Sequence, residues 1–199
     1  MPKTNQEFEC RSGAPAEIRA DENSIRVSGH AAVFNEEADI GGFFWEKIAP
    51  GAFANAIGRD DVVFLVNHEG LPLARTRSGT LTLTEDERGL FMETELDAED
   101  PDVRGIVPKM KRGDLDKMSF AFRVVKEEWD ESGDIPLRTI MEASLHDVSI
   151  VTTPAYEGTD IGLRSLEQAR KAATPEKNTL PATAARMKMG LGLRGVDIR

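Results

Sequence analysis

The stretch Lys117-Met118-Ser119-Phe120-Ala121-Phe122-Arg123-Val124-Val125 decides how the rest of the chain is interpreted. It predicts a β-strand, because apolar and aromatic residues crowd it and Gly113-Asp114 precedes it. Period-two alternation gives the strand two faces, one with Ser119, Ala121 and Arg123 and the other with Phe120, Phe122 and Val124. One face is therefore core, and the other carries a hydroxyl. A serine fixed on a strand is a candidate nucleophile, although most strand serines are solvated or bonded to a neighbour.

Composition limits the class of protein and its partners. The chain has 199 residues, 40% of them hydrophobic, which is enough for one globular domain with a sizeable core. Its formal net charge of −10 repels phosphate backbones, so we expect no nucleic-acid partner. Cys10 is the only cysteine, which excludes an intrachain disulfide and a cysteine-rich metal site and fits a reducing cytosol. We expect neither a metal nor a cofactor.

The start of the chain is acidic and lacks a long apolar run. We therefore expect neither a signal peptide nor a membrane span, and a protein that stays in the cell that makes it. Residues 1–15 are mixed and polar, which predicts a flexible N-terminus with order beginning at Ala16. Strands are predicted next at Ser24–Gly29, Ala31–Phe34, Phe43–Ile48 and Asp61–His68, with a short helix after Pro50. The last of these strands is nearly all apolar and ends at His68.

The middle of the chain predicts a hairpin and then a helix. Thr80–Thr84 and Leu90–Leu96 alternate on either side of a charged turn, as antiparallel strands do. Asp100-Pro101 is an N-cap and first-turn pair, and Gly113 is placed to end the helix. The apolar residues between them recur at helical spacing: Val103, Ile106, Val107 and Met110. Pro108 should kink this helix or loosen its last turn.

The last third predicts a polar turn, two strands, a helix and a tail: Glu127–Asp134, Leu137–Met141, Leu145–Val151, 161–173 and 174–199. Alternation in the second strand puts Asp147 and Ser149 on the face opposite His146 and Ile150. Many short strands with two or three helices favour a mostly antiparallel sheet, closed or nearly closed into a barrel with helices around it. The tail lacks a sustained apolar period, which predicts mobility.

Three residues on separate strands form a possible catalytic set: His68, Ser119 and Asp147. A serine hydroxyl needs a base to take its proton, and that base needs a partner to hold its tautomer. Each residue also has a structural interpretation, since His68 could be capped by a carbonyl and Asp147 could be solvated. Spacing alone does not choose between these interpretations.

Five blocks, in order, resemble those of the tailed-bacteriophage prohead maturation proteases: 29–35 (GHAAVFN), 46–53 (EKIAPGAF), 67–68 (NH) with 73–76 (LART) after it, 118–122 (MSFAF) and 147–156 (DVSIVTTPAY). That family is similar to the herpesvirus assemblins, serine proteases built on a small β-barrel ringed by helices. The resemblance covers about 16–165. It implies a small closed antiparallel barrel with surrounding helices, a protease domain at 16–165, and a helical then mobile tail at 166–199.

The resemblance assigns roles one residue at a time. The family's histidine falls on His68 and its serine on Ser119. Its acidic residue falls on Asp147, where many relatives have glutamate, whereas assemblins use a second histidine. His146 is adjacent to Asp147 but points to the opposite face, so Asp147 is favoured. Ala121 stands where relatives often have glycine, which should leave the serine accessible. The candidate cationic donors for the oxyanion are Arg75, Arg77 and Arg123.

The resemblance implies a serine endopeptidase that cleaves a capsid precursor or scaffold, and itself, during phage prohead maturation. We expect it inside the procapsid in the host cytoplasm, self-associating, and without nucleic-acid or membrane partners. The alternative is a capsid-assembly or scaffold-type protein that keeps the fold without proteolysis. A small-molecule esterase is disfavoured because the chain has no Gly-x-Ser-x-Gly elbow.

Overall fold

A computed structural model of the chain describes residues 8–20, 25–153 and 159–173. The chain divides into two compact units, Met1–Leu166 and Glu167–Arg199. The first unit holds the β-sheets, and the described part of the second is the end of the last helix. The predicted tail at 174–199 lies outside the described residues.

Eleven strands and three helices lie within the described residues. The strands are β1 (Glu9–Pro15), β2 (Glu17–Ala20), β3 (Ile25–Val33), β4 (Ala38–Ile40), β5 (Phe44–Ile48), β6 (Val63–Val66), β7 (Glu69–Arg75), β8 (Leu81–Glu85), β9 (Gly89–Leu96), β10 (Lys117–Asp130) and β11 (Leu137–Val151). The helices are α1 (Ala54–Arg59), α2 (Pro101–Arg112) and α3 (Thr159–Ala173). The prediction of a mostly β protein with a few helices is confirmed at this coarse level.

Helix α2 has the ends that the sequence predicts. The Asp100 side chain accepts a hydrogen bond from the backbone N–H of Asp102, and Pro101 lies in the first turn. Gly113 closes the helix at φ 81°, a left-handed conformation that glycine adopts without steric cost. The buried side is apolar and consists of Val103, Val107 and Met110. Burial of this stripe, rather than intrinsic propensity, stabilises a helix that contains Pro108.

The strands form two sheets. The seven-stranded sheet has the order β1-β10-β11-β5-β4, and β6 and β7 are attached to it through β11. The four-stranded sheet has the order β2-β3-β9-β8. Within it, β8 and β9 pair antiparallel with Leu83 opposite Met92, so the predicted hairpin is confirmed. The seven-stranded sheet carries the residues that the sequence singled out.

The predicted closed antiparallel barrel is wrong, because both sheets are open. Closure requires the first and last strands of a sheet to pair, and the described strands at the ends of each sheet, β1 and β4 or β2 and β8, do not. The reason lies in β11, which pairs in parallel with β5 through its first residues and in parallel with β6 through its last. The sheet therefore branches at β11 instead of closing, and it is mixed rather than antiparallel.

Two local predictions also need correction. Order does not begin at Ala16, because Glu9–Pro15 forms β1 and pairs antiparallel with β10. The predicted polar turn at 127–134 is too long, because β10 continues to Asp130 and pairs with β11 up to Leu137. In both cases charged side chains suggested solvent, whereas Glu9 is buried and Glu127 is half-buried. The domain limits of 16–165 stay a prediction.

One apolar cluster joins side chains from both sheets and from α1 and α2. Phe120 and Phe122 are fully buried in it and stack with ring centroids 4.8 Å apart, and Phe53 meets Phe120 edge to face at 5.6 Å. Aromatic contacts of this kind contribute about 0.5–1.5 kcal/mol each beyond the area that they bury. The aromatic face of β10 is therefore core, as alternation predicts. Ser119 and Ala121 lie on the other face of the strand, away from this cluster.

Candidate active site

Ser119 lies in the middle of the seven-stranded sheet. It is opposite Ser149 on β11 and opposite Ser12 on β1, and its side chain is fully buried. The expectation that the small Ala121 leaves the serine accessible is therefore wrong. A small neighbour on the same strand cannot expose the hydroxyl, because β1 covers one edge of β10 and β11 covers the other.

His68 is placed by a tight turn after β6. Val66 pairs with Glu69, which leaves Asn67 and His68 as the two central residues of a hairpin. Both have positive φ, 52° and 60°, as a type I′ turn requires. Asparagine tolerates this conformation, but for histidine it is uncommon and carries strain. The predicted strand thus ends at Val66, and the turn presents the imidazole.

Backbone pairing brings this turn to β11. β6 runs parallel to β11, with Val66 opposite Ile150. The N–H of Asn67 donates to the carbonyl of Ile150 at 3.0 Å, and the N–H of Thr152 donates to the Asn67 side-chain oxygen at 3.1 Å. The turn is therefore fixed to β11 on both sides of Val151, which holds the imidazole beside the face of the sheet that carries Ser119.

Asp147 lies on the same face as Ser119, because it is two residues from Ser149, which is opposite Ser119, and a bulge follows it in the pairing with β10. Ala121 is opposite Asp147, whereas Phe122 is opposite Leu145, so His146 is the extra residue between them. Asp147 is buried, and His146 is exposed with its ring stacked on Phe8 at 4.0 Å. Leu145 is buried in the apolar cluster and Asp147 lies opposite Ala121, so the bulge at His146 interrupts the alternation that predicted opposite faces for Asp147 and His146.

The side chains form a continuous hydrogen-bonded set, which we call the serine cluster: Ser119, His68, Asp147 and Ser149. His68 Nδ1 lies 2.6 Å from Asp147 Oδ1, and His68 Nε2 lies 2.7 Å from Ser119 Oγ. A carboxylate only accepts, so Nδ1 carries the imidazole proton and Nε2 is left as an acceptor facing the serine. Ser149 Oγ donates to Asp147 Oδ1 at 2.7 Å. The three predicted residues are thus brought together. Ser149, which was not a predicted site residue, joins them through its hydrogen bond to Asp147.

The Ser119 hydroxyl has two acceptors within reach. One is His68 Nε2, and the other is the carbonyl oxygen of Arg11 in β1, 2.9 Å from Oγ. A hydroxyl carries one proton, so it cannot donate to both at once. The contact with Arg11 could not be predicted from the sequence, because the two residues are 108 positions apart.

The predicted oxyanion arginines are engaged elsewhere. Arg75 and Arg77 both pair with Asp61, at 2.6 Å and 3.0 Å. Asp61 precedes β6 whereas His68 follows it, so these two guanidinium groups lie toward the other end of that strand. The Arg123 guanidinium lies 4.0 Å from the centre of the Phe8 ring. None of these contacts directs an arginine to Ser119.

A second buried polar group, the ion-pair cluster, consists of Glu9, Arg11, Glu46, Arg138 and Glu127. The first four side chains are almost fully buried. Arg138 lies 2.8 Å from both Glu9 and Glu46, and Arg11 lies 2.6 Å from Glu46. Such partners are needed because an unpaired buried charge is strongly destabilising. No local pattern in the sequence predicts this cluster, since its members lie on four separate strands.

Charges within the ion-pair cluster shift two pKa values. Burial would lower the pKa of Arg138, but the hydrogen bond and charge of Glu9, with the charges of Glu46 and Glu127, raise it above its ordinary value. Burial would raise the pKa of Glu127, but a hydrogen bond from Ser165 and the charge of Arg138 hold it below its ordinary value. Both shifts favour the charged forms and therefore the ion pairs.

Within 8–20, 25–153 and 159–173, no group of three or more histidine, cysteine or acidic side chains is arranged to hold a metal ion. No helix in the same ranges is long and apolar enough to cross a membrane.

A serine, a histidine and an aspartate joined in this way are typical of serine proteases. Comparison with known families agrees: the chain belongs to the caudovirus prohead serine protease family, whose model matches residues 14–172. The resemblance seen in the sequence blocks is thereby confirmed. Over 135 residues the chain is 31% identical to the prohead protease of Enterobacteria phage HK97. This match covers 65% of the chain and 55% of the relative, so the chain spans about half of that protein's length. No solved structure matches the chain.

Proposed function

We propose that the protein is a serine endopeptidase that cleaves a capsid precursor or scaffold during phage prohead maturation. The observation that carries this proposal is the position of His68, whose two ring nitrogens lie within hydrogen-bond distance of Ser119 and Asp147. Family membership supports the reaction class, and the name of the HK97 relative supports the prohead as its setting.

In this proposal Ser119 is the nucleophile. Its oxygen attacks the carbonyl carbon of the scissile bond while His68 Nε2 takes the hydroxyl proton. The resulting imidazolium is stabilised by Asp147, which also keeps the proton on Nδ1. His68 then gives the proton to the departing amine, and a water molecule hydrolyses the acyl intermediate by the same route. Ser149 acts as a positioning residue, since its hydroxyl occupies one lone pair of the aspartate.

The proposal extends to partners and place. The substrate is the capsid precursor or scaffold, and the enzyme also cleaves itself, for which the predicted tail at 174–199 is the candidate segment. The protein self-associates and acts inside the procapsid in the host cytoplasm. The net charge of −10 supports the absence of a nucleic-acid partner.

The test is co-expression of the full chain with its capsid precursor, followed by intact-mass measurement of both proteins. Wild type is expected to give defined fragments, which also identify the bond that is cut. Ser119→Ala and His68→Ala should each lower the rate by about 10⁶ while staying folded, because the serine–histidine pair acts as a unit. Ser28→Ala, on the other sheet, is the matched control and should cleave normally. Equal cleavage by wild type and Ser119→Ala would favour the scaffold-type alternative.

A further inference from the structure

β1 closes the site against any other peptide. It pairs antiparallel with β10 beside Ser119, and the Arg11 carbonyl accepts a hydrogen bond from the Ser119 hydroxyl. Ser119 is fully buried in this arrangement. A carbonyl carbon from another chain cannot reach the hydroxyl until β1 moves, and the Arg11 carbonyl competes with His68 for the hydroxyl proton.

The position that β1 occupies is one that a peptide substrate could take. β1 is an edge strand, and the other edge of β10 is already paired with β11. An extended peptide could therefore add to β10 only in place of β1, with main-chain hydrogen bonds of the same kind. Residues 9–13 also precede the part of the chain that matches the family model, which starts at residue 14.

The Arg11 side chain marks a pocket for a basic group. It crosses to the opposite face, where Glu46 accepts hydrogen bonds from Nε at 2.6 Å and from Nη2 at 3.2 Å. Arg11 and Glu46 line a cavity of about 470 Å³, whose wall also holds Glu36, Glu37 and Asp39. A residue whose carbonyl faces Ser119 thus has its cationic side chain held by a buried carboxylate.

Departure of β1 leaves the charge of the site unchanged. Glu9 and Arg11 carry opposite charges and leave together, while Glu46 keeps its 2.8 Å contact with Arg138. One side of the Glu46 carboxylate then lacks the guanidinium that it held. An arginine or lysine brought by an incoming strand restores that ion pair, whereas a neutral side chain leaves the carboxylate under-paired, which is costly in a buried site.

We propose that β1 is an internal substrate mimic: the peptide cleaved at Ser119 lies along β10 in its place, with an arginine or lysine before the scissile bond held by Glu46. This inference rests on the proposed function and adds to it the substrate class and a specificity-determining residue. The resting protein is a closed form, and a basic peptide that displaces β1 opens it.

The first test compares peptides of residues 9–17 with Cys10 replaced by serine and with arginine, lysine, glutamine or methionine at the position of Arg11. Two proteins are compared: wild type, and Arg11→Met, whose β1 is less tightly held. In both, kcat/KM for the arginine and lysine peptides should be at least 10-fold higher than for the glutamine and methionine peptides, with the cut between position 11 and Ser12. Glu46→Gln should bring this ratio close to one, whereas Glu93→Gln, an exposed glutamate on β9, should keep it. A ratio near one in wild type and in Arg11→Met overturns the proposal.

The second test needs no proteolysis. Cys10 lies in β1, is only 8% exposed and is the only cysteine of the chain, so its labelling by a thiol reagent reports the opening of β1. In the His68→Ala protein, the basic peptides should speed labelling at least 10-fold and the glutamine peptide should not. Arg11→Met should also speed it, whereas Arg26→Met, at an exposed arginine of β3, should not.

The two tests separate this inference from the proposed function. If neither basic peptide speeds the labelling of Cys10, the proposal that β1 is a substrate mimic is overturned, even if the capsid precursor is cleaved. Accelerated labelling together with an uncleaved precursor keeps the mimic as a binding site and removes the endopeptidase. If Arg11→Met or Glu46→Gln does not fold, the peptide series on wild type and on His68→Ala decides.

Discussion

The ion-pair cluster and the serine cluster lie on the same sheet, yet they use buried polar groups differently. In the ion-pair cluster Arg138 contacts three carboxylates and Arg11 contacts two, so every member already has its partner. In the serine cluster one hydroxyl proton has two acceptors, His68 and the Arg11 carbonyl. The first arrangement holds strands together through complete ion pairs. The second holds a proton that can move.

β1 belongs to both clusters. The side chains of Glu9 and Arg11 enter the ion-pair cluster, and the backbone carbonyl of Arg11 enters the serine cluster. A change in the first cluster should therefore alter stability and the hold on β1, and a change in the second should alter chemistry alone. The following predictions test this division, from the largest expected effect to the smallest.

Of the four changes that follow, the largest effect is expected for Asp147→Asn, in the serine cluster. An asparagine can favour the wrong imidazole tautomer, which typically lowers the rate by about 10⁴ while the nucleophile remains. The measurement is the rate of capsid-precursor cleavage by folded protein. His146→Ala is the matched control, because that ring is exposed and stacks on Phe8, and it should cleave normally. Full activity in Asp147→Asn, with loss in His146→Ala, would reassign the third residue.

The next effect is expected for Arg138→Met, in the ion-pair cluster. It leaves Glu9 and Glu46 buried with one cation fewer, which should lower the free energy of unfolding by about 3–5 kcal/mol. Denaturant unfolding measures it. Arg26→Met removes an exposed arginine that pairs with Glu93 at the surface, and it should stay within about 0.5 kcal/mol of wild type. Similar losses in both variants would mean that the buried cluster adds no more than a surface pair.

A smaller effect is expected for Gly162→Ala, in α3 beside the ion-pair cluster. A Cβ there would lie 2.4 Å from the buried Phe44 ring and 3.4 Å from Arg138 Nη1. Overpacking of this kind costs about 1–3 kcal/mol, read as a lower thermal midpoint. Gly105→Ala in α2 is the matched control, since a Cβ there meets nothing within 4 Å, and it should be neutral or slightly stabilising. An unchanged midpoint in Gly162→Ala would show that α3 does not pack tightly on this cluster.

The smallest effect concerns pH. The pKa of Glu127 is lower in the folded protein than in the unfolded chain, so its contribution to stability is present above the ordinary glutamate range, near about pH 4.3, and is lost as the pH falls through the folded pKa. Unfolding free energy measured from pH 7 to pH 3 should therefore fall less steeply in Glu127→Gln. Glu128→Gln, at an exposed neighbour, should follow wild type. Identical slopes in all three proteins would contradict the ion pair with Arg138.

The serine cluster could be predicted in large part from the sequence because its geometry follows from local rules. Alternation put Ser119 on one face of its strand and placed Asp147 on the same face of its strand as Ser149, and the family resemblance supplied His68. The bulge and the turn were missed. Asn67-His68 lacks the glycine that usually marks a type I′ turn, and nothing in the sequence around His146 indicates an unpaired residue.

The ion-pair cluster and the open sheets could not be predicted, because both depend on contacts between distant residues. Arg138 and Glu46 are 92 positions apart, and each alone resembles a solvated charge on a strand. The same holds for the parallel pairing of β11 with β5 and β6, which turns a predicted barrel into a branched sheet. β1 was missed for a related reason, since the Gly and Pro of its short, charged sequence favour a loop.

β11 carries Arg138 near its start and Asp147 near its end, and β10 pairs with it along nearly its whole length. The two clusters therefore cannot melt one after the other, because opening either one separates the same pair of strands. We expect the backbone amides of β10 and β11 at both clusters to exchange with deuterium at the same rate, through global unfolding only. Because β11 must find parallel partners far back in the chain before this pair is complete, folding should also be slow for a unit of this size.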